Sequence, residues 1–169
     1  MWNGFLEIAY RCRMSTVRIG IATAAILITV GYALGSSVWV SSDAGWYRSL
    51  VQPAWQPPDW IFGVIWPYNF IVLGIVGFMI AKQATILQAW LWLGFYFFSV
   101  IFALVWSYLF YVPHNIGASA IALALASLLT LPVLIITFQT DLKYAVFLLP
   151  YQIWVIVATF LAFSYAAKN

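Results

Sequence analysis

The residues best able to do chemistry in this chain are aromatic rings, and their spacing is ordered. Four tryptophans, Trp46, Trp55, Trp60 and Trp66, stand between positions 46 and 66 together with three prolines, Pro53, Pro57 and Pro58. Further on, Trp66 and Phe70 are four residues apart, Phe102, Trp106 and Phe110 recur at the same interval, and Trp154, Ala158 and Leu161 fall at i, i+4 and i+7. On helices each set lines one face, and the small Ala158 makes room between larger neighbours. Rings held this way suit a large, flat, apolar ligand that stacks and needs few hydrogen bonds. Porphyrins, sterols and carotenoids fit that description. Other chemistries lack the residues they need. Cys12 and His114 are each the sole residue of their type, which excludes an intrachain disulfide and offers no metal cluster of recognisable spacing. The four acids are dispersed, there is no glycine-rich phosphate loop, and no carboxylate pair lies within an apolar run. A metal site, a nucleotide-driven pump and a proton relay of the carboxylate type are therefore not expected.

The elements that carry these rings must be membrane helices. The chain is 66% hydrophobic and 7% charged, with a mean hydropathy of +1.00, more apolar surface than a soluble fold of this size can bury. A spanning helix needs about 20 mostly apolar residues, and such runs recur at about 18–38, 60–81, 87–111, 116–138 and 144–167. Arg48, Asp59, Lys82, Asp141, Lys143 and Lys168 fall at or between the run ends. Period-2 alternation is absent, so the expected fold is all-α: a five-transmembrane-helix bundle rather than a barrel. The prolines fix φ and push their predecessors out of the helical region, which makes 39–59 a stiff crossing that holds its aromatics over whatever lies beneath. Residues 1–17 read as an N-terminal extension to a single membrane domain over 18–168, and Met14 is an alternative start to Met1.

Orientation follows from the basic residues. Arg11, Arg13, Arg18, Lys82 and Lys143 lie on one side and Arg48 and Lys168 on the other, which predicts the N-terminus inside, the C-terminus outside and the aromatic crossing extracytoplasmic. A bacterial-type cytoplasmic membrane is the simplest setting. Arg11 to Arg18 before an apolar run resembles a secretory signal, but the run is long enough to span, so cleavage is not expected. Gly31 and Gly35 form a close-approach pair, expected to pack inside the monomer. Ala118, Ala122 and Ala126 suit either a homodimer or the bundle itself.

Here a resemblance becomes specific. Trp46-Tyr47, Pro53, Trp55-x-Pro57-Pro58-x-Trp60, Trp66 and Leu149-Pro150-Tyr151-x-x-Trp154-x-x-x-Ala158-Thr159-x-Leu161 resemble the signature of the tryptophan-rich sensory protein (TspO/MBR) family, whose mammalian members are called translocator protein or peripheral benzodiazepine receptor. The resemblance covers roughly 18–168. It implies a bundle whose first loop folds over a pocket, and ligands such as protoporphyrin, haem, cholesterol and synthetic drugs. By resemblance Tyr47, Pro57, Trp66, Phe70, Trp106, Trp154 and Ala158 line that pocket, with Leu161 on the same face. Trp66 and Trp154 match the pair tied to light-driven porphyrin breakdown in some bacterial members. Trp46, Pro53, Trp55, Pro58 and Trp60 belong to the lid, with Trp55 and Trp60 expected to hold it to the bundle.

The chain also departs from the family. Ala103 and Ala162 stand where relatives carry Asn, and Asn69-Phe70 stands where many carry Leu-Tyr. These changes are expected to make the pocket more apolar, and Pro67 is expected to kink the second span. Leu161, Tyr165 and Lys168 fit a weak cholesterol pattern, outweighed by an ordinary helix end with Tyr165 in the interfacial belt and Lys168 snorkelling to water. His114 is expected to be a solvated turn residue, and Asp59 to favour the start of the second span through capping and the helix dipole. Three functions stay open: a membrane receptor or binding protein for tetrapyrroles, sterols or carotenoids, acting in sensing, sequestration or transport; a light-dependent porphyrin-degrading enzyme using Trp66 and Trp154; and a pigment-holding subunit of a larger membrane assembly. No cofactor is required, porphyrin or haem enters as ligand, and no nucleic-acid partner is expected.

Overall fold

The computed structural model describes the backbone of residues 2–40 and 44–169 and the side chains of 14–40 and 45–169. The side chains of Arg11, Cys12 and Arg13 and residues 41–43 of the crossing lie outside that description. Among the described residues all regular structure is helical. In chain order the helices are α1 (Trp2–Val40), α2 (Ala44–Ser49), α3 (Asp59–Gln83), α4 (Ile86–Tyr111), α5 (Ile116–Thr140) and α6 (Leu142–Lys168). Five segments, Met14–Val40 and the whole of α3, α4, α5 and α6, are long and apolar enough to span a bilayer. At 1.5 Å per residue, 25 to 27 residues reach about 38 to 40 Å, sufficient to cross about 30 Å of hydrocarbon with some tilt. The protein is an integral, multi-pass membrane protein. The expected spans match within a few residues, and the crossing contains the short helix α2.

Helix ends follow local chemistry. Thr85 and Gln88 form a reciprocal capping box at α4, Asn115 accepts from Ala118 N at α5, and Asp141 accepts from Lys143 N at 2.8 Å at α6, each satisfying amides that a helix start leaves unpaired. At the C-terminus of α3, Arg18 Nη1 donates to the carbonyls of Ala81, Lys82 and Ala84 at 2.7, 3.0 and 3.0 Å. A cation at that end favours the helix dipole and ties α1 to α3.

The helices close a ring in which α1 packs between α3 and α4, α5 between α4 and α6, and α6 returns to α3. Close approach is set by small residues. A Cβ on Gly77 would lie 2.7 Å from Ala25 Cβ and 3.2 Å from the Trp92 ring, and one on Gly35 would lie 2.8 Å from Leu104. Gly35 is thus used within the bundle, whereas Gly31 meets nothing within 4 Å. Ala122 and Ala126 are buried, so they too serve the interior. Trp92 is fully buried and donates its indole N–H to Thr137 Oγ1 at 3.0 Å, tying α4 to α5. Trp90, two residues earlier, is exposed, as an interfacial tryptophan should be. The helix α3 runs unbroken through Pro67, and Trp66 and Phe70 keep one face, stacked at 5.8 Å.

Candidate functional site

A cavity of about 520 Å³ opens between α1, α3, α4 and α6 at the end where the crossing lies, within the range of sites for drug-sized ligands. Trp66 and Phe70 come from α3, Trp106 and Phe110 from α4, and Trp154, Ala158, Leu161 and Ala162 from α6. No residue of α5 lines it. Rings meet edge to face around it. Tyr32 stands at 85° to Trp66 and 87° to Phe70, and Phe62 meets Trp154 at 5.2 Å and 79°. These geometries favour the ring quadrupoles and hold the walls in place.

The crossing forms the remaining side. Tyr47, Arg48 and Gln52 line the cavity along with Asp59, Ser36 and Ser37. The crossing is fastened to the C-terminal end of α6. The Tyr165 hydroxyl donates to Gln56 Oε1 and lies 3.4 Å from the Tyr47 hydroxyl. Val51 N donates to Asn169 Oδ1 at 2.9 Å, and Asn169 Nδ2 donates to Val51 O at 3.4 Å. At the other edge Trp46 stacks on His114 at 3.9 Å and 13° and meets Phe110 edge-on at 5.2 Å.

The cavity therefore brings together Tyr47, Trp66, Phe70, Trp106, Trp154, Ala158 and Leu161. Several expectations are corrected. Pro57 is half-buried but does not line the cavity, and it is the exposed Asp59, two residues on, that stands at its mouth. Trp55 and Trp60, expected to hold the crossing to the bundle, are 50% and 69% exposed. Six residues before Trp66, at about 100° per residue, Trp60 points away from the cavity face. Pro53 is buried and Pro58 is exposed at the N-cap of α3. The N-cap of α3 is Pro58, so Asp59 is not the cap, but it stands in the first turn, where its charge favours the helix dipole, and it lines the mouth of the cavity. Tyr165 is buried at the cavity rim rather than in an interfacial belt, while Lys168 is exposed. His114 is exposed, yet it is the stacking partner of Trp46 and adopts a left-handed φ of 55°. Nor is the cavity uniformly apolar. Phe70 and Ala162 do line it, but Arg48, Gln52 and Asp59 add charge and hydrogen-bonding capacity at its mouth. Asn69 faces the interior of the bundle instead, fully buried.

Reading the sequence missed Tyr32, Ser36, Phe62 and Tyr111. For Tyr32 and Ser36 the signal was present, since they are four apart on the first span and so put two hydroxyls on one face of a mostly apolar helix. Phe62 likewise precedes Trp66 by one turn.

A match to the TspO/MBR family covers residues 20–167. The chain is 29% identical over 131 residues to Protein CrtK of Rhodobacter capsulatus, covering 77% of this chain and 82% of that protein. It is 28% identical over 144 residues to Tryptophan-rich protein TspO of Bacillus cereus, covering 84% and 92%. To the translocator protein of Bos taurus it is 27% identical over 146 residues, covering 85% and 86%.

Proposed function

The chain belongs to the TspO/MBR family, and from that premise we propose that it is a membrane receptor for large flat lipophiles with an anionic edge, tetrapyrroles such as protoporphyrin IX or haem before all others. The observation that carries this reading is the change in character along the cavity. Trp66, Phe70, Trp106 and Trp154 offer stacking surfaces, and Arg48 stands with Gln52 at the mouth. A tetrapyrrole has a macrocycle for the rings and carboxylates for the guanidinium, a pairing in which Arg is favoured. A sterol or carotenoid would fill the apolar part and leave Arg48 unmatched. The crossing acts as the lid, and release of the ligand requires the fastening of its residues 47–56 to α6 to open. Sensing, sequestration and transport all begin with this binding step.

The test is a titration of purified protein with protoporphyrin IX, followed by tryptophan quenching, beside its dimethyl ester and cholesterol. Saturable quenching by the diacid that weakens for the ester supports the reading. Equal binding of the ester, or a preference for cholesterol, overturns the anionic edge; no saturable quenching overturns the receptor.

Light-dependent porphyrin degradation is a second reading, favoured by Trp66 and Trp154 lining one cavity. Bound pigment, light and oxygen would do the oxidising, and the protein would position the pigment. Illumination of the complex in air, with Trp66→Phe and Trp154→Phe alongside, should then give a loss of Soret absorbance that depends on those residues. A Soret band that decays at the same rate with and without the protein would rule it out.

A further inference from the structure

A second hollow lies on the outer side of the seam between α1 and α3. It is a groove of about 440 Å³ whose walls include Ile26 and Val30 of α1 and Ile71, Ile75 and Phe78 of α3. All five side chains are exposed, so in a bilayer they meet lipid tails. Gly74 leaves the groove open between them, since a Cβ placed there would meet nothing within 4 Å. Thr29 is the one polar residue in the lining, and its hydroxyl is turned inward, donating to Ala25 O at 2.8 Å and sharing a hydrogen bond with Tyr96. Nothing in the groove calls for a polar occupant.

The two ends of the seam differ. Contacts along it pair Tyr32 with Phe70, Ala25 with Gly77, and Arg18 with the carbonyls of Ala81, Lys82 and Ala84, so the helices run antiparallel. At one end Phe70 lines both the groove and the ligand cavity. At the other end stand two cations. Ile71, Ile75, Phe78 and Lys82 fall at i, i+4, i+7 and i+11, one stripe of α3, which puts the exposed Lys82 one turn beyond Phe78 on the groove's own face. Arg18 reaches the same helix end from α1. All three of its bonds to α3 are made by Nη1, which leaves Nη2 and Nε to donate elsewhere.

An occupant must therefore be apolar along the groove and anionic at the basic end. Phe70 and Lys82 are 12 residues apart, about 18 Å along a helix, and the tails of one leaflet span about 15 Å, half of the hydrocarbon core. A chain held by its headgroup at Arg18 and Lys82 thus reaches Phe70. A sterol hydroxyl has no charge for two cations to meet, and free phosphate makes no use of the groove. We propose that the α1–α3 seam binds one anionic phospholipid, its phosphate between Arg18 and Lys82 and one acyl chain laid along the groove to Phe70. Basic pockets between spans hold anionic headgroups in this way. The site is separate from the ligand cavity and is independent of what that cavity holds.

The test titrates the full chain in detergent micelles with dioleoyl-phosphatidylglycerol or dioleoyl-phosphatidylcholine and counts retained lipid by native mass spectrometry. One phosphatidylglycerol per chain is expected, held at least about fivefold more tightly than phosphatidylcholine, the scale on which each Lys or Arg near an anionic headgroup contributes. Gly74→Leu places a side chain in the open part of the groove and should abolish that retention. Lys82→Gln, at an exposed position, should weaken it about fivefold; should Gly74→Leu fail to fold, Lys82→Gln carries the test. Equal retention of the two lipids by the wild-type chain overturns the proposal, as does retention of phosphatidylglycerol undiminished in either folded variant.

Discussion

Replacing Asn169 with alanine should speed ligand release, because the residue closes the crossing onto α6. Asn169→Ala removes the bond from Val51 N at 2.9 Å and the longer one to Val51 O at 3.4 Å. Only the first falls in the range of a well-formed N–H···O bond. Both are exposed to water, so the net loss is about 1 kcal/mol, or roughly a fivefold rise in the open population, since 1.4 kcal/mol is tenfold. Tyr165→Phe cuts the second fastening, to Gln56 and Tyr47, and should add a similar factor because Gln56 loses its partner. The assay is stopped-flow displacement of bound protoporphyrin IX into excess empty micelles, which reads the dissociation rate directly. Dissociation about fivefold faster in Asn169→Ala, and faster again in the double variant, is the expected result. Unchanged rates in both variants, with binding intact, would refute the idea that the crossing controls exit.

Arg48→Gln should weaken the protoporphyrin diacid by about three- to tenfold, as loss of a partly solvated charge-assisted bond implies, and leave the dimethyl ester unaffected; fluorescence titration at two salt concentrations checks this, since the contribution of Arg48 should fall as salt rises. Gly77→Ala should destabilise the bundle by about 1–2 kcal/mol, the overpacking against Ala25 and Trp92 exceeding the gain in helix propensity, and Ala25→Gly in the same chain should restore much of the loss in a detergent melting experiment. Thr85→Ala should cost about 1 kcal/mol through loss of the capping box, read by the same melt, with protoporphyrin binding unchanged because α4 begins at the end opposite the cavity.

The bundle was legible in the sequence because apolar runs of spanning length are a strong, local signal. Trp66 with Phe70, and Trp154 with Ala158 and Leu161, were legible because a helix places residues at that spacing on one face. What a face points at is decided by the neighbouring helix, and this is where reading failed. Trp60 and Trp66 are the same residue type on one helix, and only the phase of α3 against α1 and α6 leaves one exposed and turns the other to the cavity. Local rules placed Asp59 at the start of α3, where it stands in the first turn, but not its second position at the mouth of the cavity. Asn69 drew notice only as part of a departure from the family, because the burial of its amide is a property of three-dimensional surroundings.

The helix α5 has a distinct standing. It touches α4 and α6 through Trp92–Thr137 and Gln152–Ser127 yet offers nothing to the cavity wall. Its outward residues Ile121, Leu125, Leu128, Ile135 and Phe138 face away from the core. Substitutions there should change how the molecule sits in different lipids, or next to another protein, while its choice of ligand stays fixed. Adaptation to a new membrane and adaptation to a new ligand can thus proceed on separate helices, each without undoing the other.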